Sequence, residues 1–216
     1  MVREIVTTYK NDDRICIWDV YNEPGAGKRT EVTPPILQRM FDTVRACEPS
    51  QPLTSGLWVV NRMMKKRTEG SLQTVEDIIF ENSDIISYHF YGDYNTHVRL
   101  IKRLKEEGRP IINTEWLGRI FNNDVFSLFP LFYMEKIGCY NWGFVAGKYQ
   151  TYEPWEATWQ SYDAGKLDNV DFTKWFHDLY RPSHHPYDPK EIALIQKFSA
   201  YAEEDHKAYL ESLNKK

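Results

Sequence analysis

The sequence predicts an α/β fold built on a parallel β-sheet, and three observations lead to that prediction. Short apolar runs recur along the 216 residues, at positions 15–21, 53–58, 84–89, 110–115 and 139–145. Helix-forming stretches separate these runs, and alternating strands and helices are typical of parallel sheets. Two of the runs lead into a glutamate, Glu23 and Glu115, and the carboxyl ends of such strands are where α/β enzymes place their chemistry.

Length, charge and composition limit the classes of protein that the chain can belong to. At 216 residues with a net charge of −4, we expect a single domain over residues 1–216 with a sizeable core and no nucleic-acid partner. No apolar run is long enough to span a membrane, and the first residues lack the apolar core of a signal peptide. We therefore expect no membrane partner and leave localisation open, with a secreted or periplasmic parent protein compatible with the sequence.

The first part of the chain predicts one strand between two helices. Residues 2–9 predict the end of a helix, and the near-continuous apolar run 15–21 predicts a buried strand. Pro24 and Gly25 stop that strand. Thr33-Pro34-Pro35 then begins a helix that runs to about Cys47.

The rest of the chain predicts four more strands and their helices. Predicted helices cover Thr74 to Glu81, a segment capped by Asn95 and ending at Gly108, Asp124 to Lys136 with Gly138 at its end, and a segment that starts at Pro189. Pro130 inside the third of these predicts a kink or a late start. Residues 59–73, with the basic stretch 62–67, and the aromatic stretch 147–188 are predicted as loops.

The three cysteines, Cys16, Cys47 and Cys139, form neither a disulfide framework nor a metal-binding spacing. We expect them to be buried free thiols. The histidines and the aspartate near the carboxyl-terminal helix also lack zinc spacing, so no metal and no cofactor are expected there; they are His177, His184, His185 and Asp188.

Four motifs in the same order resemble clan A glycoside hydrolases, the large group of retaining (β/α)8 enzymes. Residues 18–24, Trp-Asp-Val-Tyr-Asn-Glu-Pro, resemble the acid/base motif, and residues 112–116, Ile-Asn-Thr-Glu-Trp, resemble the nucleophile strand. Residues 87–92 and 141–144 are similar to the sixth and eighth strands. The resemblance covers about residues 1 to 180 and is closest to family 5-like, cellulase-type enzymes. It implies a TIM-barrel fold truncated to strands four to eight and hydrolysis of β-linked glycans such as cellulose, mannan or xylan.

The same resemblance implies a role for each candidate residue. Glu23 is expected to be the general acid/base and Glu115 the nucleophile, since glycoside hydrolysis uses two carboxylates. The expected substrate-binding residues are Asn22 for the sugar 2-hydroxyl, Tyr91 for the nucleophile, His89 on the same strand face, and Trp142 and Trp58 as aromatic platforms. Of these platforms Trp58 is a weaker candidate than Trp142, as is Trp116, while Trp155 and Trp159 are expected either to extend the cleft or only to pack their loop. Carboxyl groups about 5 to 5.5 Å apart would indicate retention, and about 6.5 to 9.5 Å inversion.

One departure from the family pattern keeps a second function open. The first three strands, and the second-strand arginine that holds the nucleophile in relatives, have no counterpart in the sequence. A five-stranded sheet with two open edges favours self-association or a covering partner. The alternative is therefore an inactive barrel fragment that binds glycans or serves in assembly. A phosphatase or an aldolase is disfavoured, because no phosphate loop is present and no lysine ends a predicted strand.

Overall fold

The computed structural model describes residues 1–65 and 74–214. The chain divides into two compact units, which are described separately below. The first unit comprises Met1–Phe90 and Val98–Thr114, and the second comprises Tyr91–His97 and Glu115–Lys216. None of the helices in the described ranges combines the length and the apolarity that crossing a membrane would require.

The strands of the first unit follow one another in chain order. They are β1 (Trp18–Asp19), β2 (Leu53–Thr54), β3 (Ile86–His89) and β4 (Ile111–Glu115), whose last residue belongs to the second unit. β1 pairs in parallel with β2, and a parallel bridge from Leu57 to Tyr88 joins the continuation of β2 to β3. β3 is hydrogen-bonded to β4 in turn. This order is the one that successive βα units produce.

Helices of the first unit cover its sheet with apolar side chains. They are α1 (Val2–Tyr9), α2 (Thr33–Arg45), α3 (Val60–Met63), α4 (Val75–Asn82) and the larger part of α5 (Tyr94–Lys105). α2 has proline in its first turn, where the missing N–H needs no partner. Its buried side chains, Leu37, Phe41 and Val44, are at most 2% exposed. Thr74 and Asp77 form a capping box at the start of α4.

The second unit is mainly helical. It contains a short 3₁₀ helix (Arg119–Phe121), α6 (Val125–Glu135), β5 (Gly138–Cys139), α7 (Glu156–Asp163) and α8 (Pro189–Leu213). A buried ion pair joins Arg119 to Glu191 of α8, with Nη2 and Oε2 2.6 Å apart. Arg119 Nη1 also donates to the Asp178 carbonyl, so the pair fixes the segment before α8. Both partners are needed, because a buried charge left alone is strongly destabilising.

Several predictions about the elements are wrong in instructive ways. Residues 15–21 are not buried: β1 has one strand neighbour in the described part of its unit, so its other edge stays uncovered. α5 is capped by the Asp93 carboxylate, which accepts from Thr96 N at 3.0 Å, and not by Asn95. The bounds predicted for α6 are confirmed to within one residue: the helix starts directly after Asp124, so Pro130 causes no late start, and it ends at Glu135, followed by Lys136 in a left-handed conformation.

The two predicted loops contain helices. α3 lies within residues 59–73, and α7 lies within residues 147–188. Arg62 of the basic stretch pairs with Glu76 at 3.3 Å, while residues 66 and 67 fall outside the described residues.

The prediction for the cysteines holds for one residue. Cys47 is buried, but Cys16 is exposed because the edge of β1 is open, and Cys139 is half-buried. Burial raises the pKa of the Cys139 thiol to about 12, so this thiol stays protonated at neutral pH.

Candidate active site

Glu23 lies in a tight loop directly after β1. Its backbone is left-handed, with φ of +43°, a conformation that residues other than glycine adopt at a cost. The two residues that follow, Pro24 and Gly25, are buried, and Gly25 has φ of +88°. The turn closes by a bond from Ala26 N to the Glu23 carbonyl at 3.1 Å. The Glu23 side chain therefore leaves the backbone in a different direction from the one it would take if β1 continued through this residue.

His89, at the end of β3, contacts the Glu23 carboxylate. Its Nδ1 lies 2.8 Å from Glu23 Oε1, within hydrogen-bond distance. His89 is 3% exposed, whereas the Glu23 side chain is 28% exposed. A Cβ at Gly56 would lie 2.7 Å from His89 Nε2, so glycine there leaves space for the imidazole. The first unit thus brings two of the predicted site residues together.

Trp58 and Asn22 flank this loop. The Trp58 indole N–H donates to the Pro24 carbonyl at 3.1 Å, which ties the half-buried ring to the Glu23 loop. Asn22 is exposed beside Glu23. Their predicted roles in binding sugar stay predictions, with an added structural role for Trp58.

Glu115, the second candidate carboxylate, ends β4 and is only 8% exposed. The Tyr91 hydroxyl donates to its Oε2 at 2.7 Å. Both residues belong to the second unit, so Tyr91 contacts the second candidate carboxylate, and the role of each residue stays a prediction. A carboxylate with a charge-assisted hydrogen bond of this length is held in one orientation.

Three aromatic rings surround Tyr91, and we call Trp155, Phe176 and His177 the Tyr91 cage. Their ring centroids lie 5.2, 6.1 and 5.0 Å from that of Tyr91. The phenol ring is therefore fixed by packing on several sides, while its hydroxyl stays directed at Glu115. Trp155 is 45% exposed, so part of the cage faces solvent.

His177 is a buried, neutral member of the cage. Burial, above all, lowers its pKa to about 4, and its Nδ1 lies within hydrogen-bond distance of the Leu117 carbonyl. Because a carbonyl oxygen only accepts, Nδ1 carries the proton. The next residue, Asp178, is fully buried and accepts from the Thr151 hydroxyl at 2.8 Å. Gly143 packs against this group, where a Cβ would lie 2.9 Å from Asp178 Oδ1.

The remaining predicted platforms divide into exposed and buried residues. Trp142 follows β5 and is 47% exposed, as a ring that stacks on a sugar must be. Trp116 is 2% exposed and packs against Phe132 at 5.2 Å, so it is a core residue and cannot be a platform. Trp159 stacks on Phe172 at 3.8 Å and is 38% exposed, so it packs its segment and keeps some free surface.

Comparison with known structures identifies the class of fold. An endo-β-1,4-xylanase of glycoside hydrolase family 10 from Gloeophyllum trabeum matches 91% of the chain, with 13% identity and a TM-score of 0.51. A family 10 endoxylanase from a sugarcane soil metagenome matches 90% of the chain, with 12% identity and a TM-score of 0.55. The β-D-glucuronidase of Dictyoglomus thermophilum matches 92% of the chain, with 16% identity and a TM-score of 0.56. The chain spans 65%, 67% and 34% of these proteins, respectively. The fold is therefore a partial (β/α) barrel, which confirms the predicted fold class.

The family of the chain is a narrower class than its fold, and a separate comparison identifies it. The family described as cellulase (glycosyl hydrolase family 5) matches residues 1–146, more than half of the chain. The chain belongs to this family, as the four motifs had indicated. No curated protein matches the chain.

Sequence reasoning missed several residues of the site. His177 was considered only as a metal ligand with His184, His185 and Asp188, which do not form a ligand group in the described residues. Its actual position, beneath Tyr91, has no local sequence signal. Gly56 and Arg119 were missed for the same reason, since both act through residues distant in sequence. Of the predicted residues, Asn22 and Trp142 have no side-chain hydrogen bond among those described for the chain.

Proposed function

We propose that the chain is a retaining glycoside hydrolase that acts on β-linked glycans, with Glu23 as general acid/base and Glu115 as nucleophile. One observation above all supports this proposal: Glu23 lies after β1, Glu115 ends β4, and each carboxylate contacts one ring group, His89 for Glu23 and Tyr91 for Glu115. Membership of the cellulase family supports the reaction class, and carbohydrate is the substrate class that it implies.

The proposed mechanism follows from what each carboxylate can do. Glu115 attacks the anomeric carbon, and the bond to the leaving oxygen breaks as Glu23 donates its proton to that oxygen. Glu23 then takes a proton from water, whose oxygen displaces Glu115 and releases the sugar with its configuration retained. Tyr91 keeps the Glu115 oxygen in place throughout. Asn22, Trp142 and Trp58 are proposed to bind the glycan.

Azide rescue tests both roles at once. Glu115→Ala and Glu23→Ala variants are assayed on aryl β-glycosides, alone and with azide. Loss of the nucleophile should give an α-glycosyl azide, because azide attacks directly, while loss of the acid/base should give the β-product. Glu31→Gln and Glu153→Gln, which change exposed glutamates, are the controls. Unchanged turnover in Glu115→Ala would exclude the proposed nucleophile.

A second candidate function is glycan binding without hydrolysis. The exposure of β1 favours it, since no residue of 15–21 is buried and the acid/base loop follows directly. In that case the folded wild type would bind polymeric β-glycans in affinity electrophoresis but release no aryl group or reducing sugar. A partner or a second copy that restores turnover on mixing would support the first proposal instead.

A further inference from the structure

An open groove on the surface of the second unit contains neither of the candidate catalytic glutamates. It has a volume of about 880 Å³, within the range of small-molecule sites. We call it the Trp175 pocket, and its lining includes Lys148, Gln150, Tyr152, Trp175, Arg181 and Ser183.

The walls of the pocket are held by backbone hydrogen bonds. Its residues come from two segments, 146–152 and 175–183. Ala146 N donates to the Tyr180 carbonyl and Phe176 N to the Tyr152 carbonyl, both at 2.8 Å. Arg181 N donates to the His185 carbonyl, also at 2.8 Å. These bonds hold the two wall segments beside each other, so the backbone around the pocket needs little ordering when a ligand binds.

The charged side chains of the lining are both cations, Lys148 and Arg181. Within the described residues neither belongs to an ion pair. Two uncompensated positive charges around one cavity attract an anion, and a guanidinium suits a carboxylate because its planar fork can donate two parallel hydrogen bonds.

Aromatic packing orients the arginine. Arg181 Cζ lies over the Trp175 ring, 4.9 Å from its centroid, and Tyr187 stacks on Trp175 at 5.1 Å. A guanidinium on a ring face keeps its N–H donors at the edge, where they remain available to a ligand. The Trp175 stack thus presents a positioned donor rather than a flexible one.

The uncharged lining argues for a sugar and against a simple anion. Ser183 and Gln150 can exchange hydrogen bonds with hydroxyl groups, while Tyr152 and Pro182 offer apolar surface to C–H groups. The same segments also reach the candidate active site. Thr151, between Gln150 and Tyr152, binds Asp178, whose neighbour His177 contacts Tyr91.

We propose that the Trp175 pocket binds a hexuronate, a sugar with a carboxylate at C6, carried by the glycan. Arg181 binds the carboxylate, Lys148 adds positive charge, and the polar and aromatic walls contact the ring. This inference rests on the proposed function, because the hexuronate is taken to be part of the β-linked glycan that the hydrolase acts on.

The test compares one acidic and one neutral ligand. Xylotetraose with a single glucuronate branch and unbranched xylotetraose are titrated calorimetrically into Glu115→Gln protein, so that hydrolysis does not consume them. Adding Arg181→Gln should weaken binding of the branched ligand about five- to tenfold, and Lys148→Gln about two- to threefold, as expected for accessible charge pairs. Binding of the unbranched ligand should not change. Arg39→Gln, at an exposed arginine of α2, is the matched control.

Other results would overturn the inference. Equal weakening for both ligands would mean that the pocket binds backbone and not carboxylate, and no weakening would mean that it binds neither. Inorganic phosphate that displaces the branched ligand with equal affinity would reveal a general anion site. Wild-type turnover on neutral glycan separates the two proposals. Turnover without any preference for the branched, acidic ligand would refute only the proposed hexuronate site. Specific binding of the acidic ligand without turnover would refute only the proposed hydrolase.

Discussion

The two candidate catalytic carboxylates are held in different ways. Glu23 lies in a loop with a left-handed backbone, is 28% exposed along its side chain, and contacts His89. Glu115 ends a regular strand, is 8% exposed, and accepts a hydrogen bond from Tyr91, which its aromatic cage fixes in turn. The first carboxylate is accessible and held by a single ring, while the second is buried and supported by several.

This difference matches what the proposed roles require. A general acid/base must exchange its proton with the leaving group and then with water, so solvent access helps it. A nucleophile must keep one oxygen aligned with the anomeric carbon, and a misplacement of about 1 Å is costly. Glu23 therefore has the solvent access that proton exchange requires, and Glu115 has the fixed orientation that nucleophilic attack requires.

The largest expected effect comes from removing each carboxylate in turn. On a dinitrophenyl β-glycoside, Glu115→Gln should lower kcat on the order of 10⁴-fold, because the attacking group is lost. Glu23→Gln should affect glycosylation of the enzyme far less, since this leaving group departs without a proton. Pre-steady-state release of dinitrophenol measures that step. Equal losses in the two variants would break the comparison.

Acid should destabilise the folded protein through His177 of the Tyr91 cage. The pKa of His177 is lowered to about 4, so folding favours its neutral form, and that stability is present above the unfolded pKa. As pH falls from about 6.5 towards 4, up to about 3 kcal/mol of unfolding free energy should be lost. His177→Gln should flatten this slope in urea titrations at several pH values. A slope unchanged by the substitution would mean that other groups cause it.

Removal of the Tyr91 hydroxyl tests how much its hydrogen bond to Glu115 contributes to catalysis. Tyr91→Phe keeps the ring contacts but loses the bond to Oε2, so kcat/KM should fall roughly 10- to 100-fold. The melting temperature should change little, because the packing is retained. Tyr149→Phe is the control, at a side chain that is 96% exposed. Wild-type kinetics in Tyr91→Phe would contradict the assigned role.

A smaller effect is expected when the space beneath His89 is filled. In Gly56→Ala the new methyl meets Nε2 at 2.7 Å, so the imidazole must move away from its contact with Glu23. Overpacking of this kind should lower the unfolding free energy by about 1–3 kcal/mol. Turnover should fall most on glycosides with poor leaving groups. A stable, fully active Gly56→Ala would refute the constraint.

The regular elements were predictable where their signals are local. Prolines at the start of α2 and the apolar run of β4 ending in Glu115 are patterns that a short segment carries by itself. The incomplete burial of β1 could not be predicted in this way, because burial depends on a neighbouring strand and not on the strand's own apolar residues. α7 was missed because its aromatic residues lack a clear helical period.

The candidate site shows the same limit. Glu23, Glu115 and Tyr91 were singled out through motifs, and their catalytic and binding roles stay predictions. The cage residue His177 and the ion pair between Arg119 and Glu191 depend on contacts between residues 60 or more positions apart. No window along the chain contains both partners, so only the folded structure reveals them.

The left-handed backbone at Glu23 implies a trade-off between stability and activity. Such a conformation costs on the order of 1–3 kcal/mol for most residues, and glycine or asparagine adopts it more readily. Selection for thermal stability alone would therefore favour replacing the very residue proposed to transfer the proton. A stabilised Glu23→Gly protein without turnover would be the expected product of such a selection.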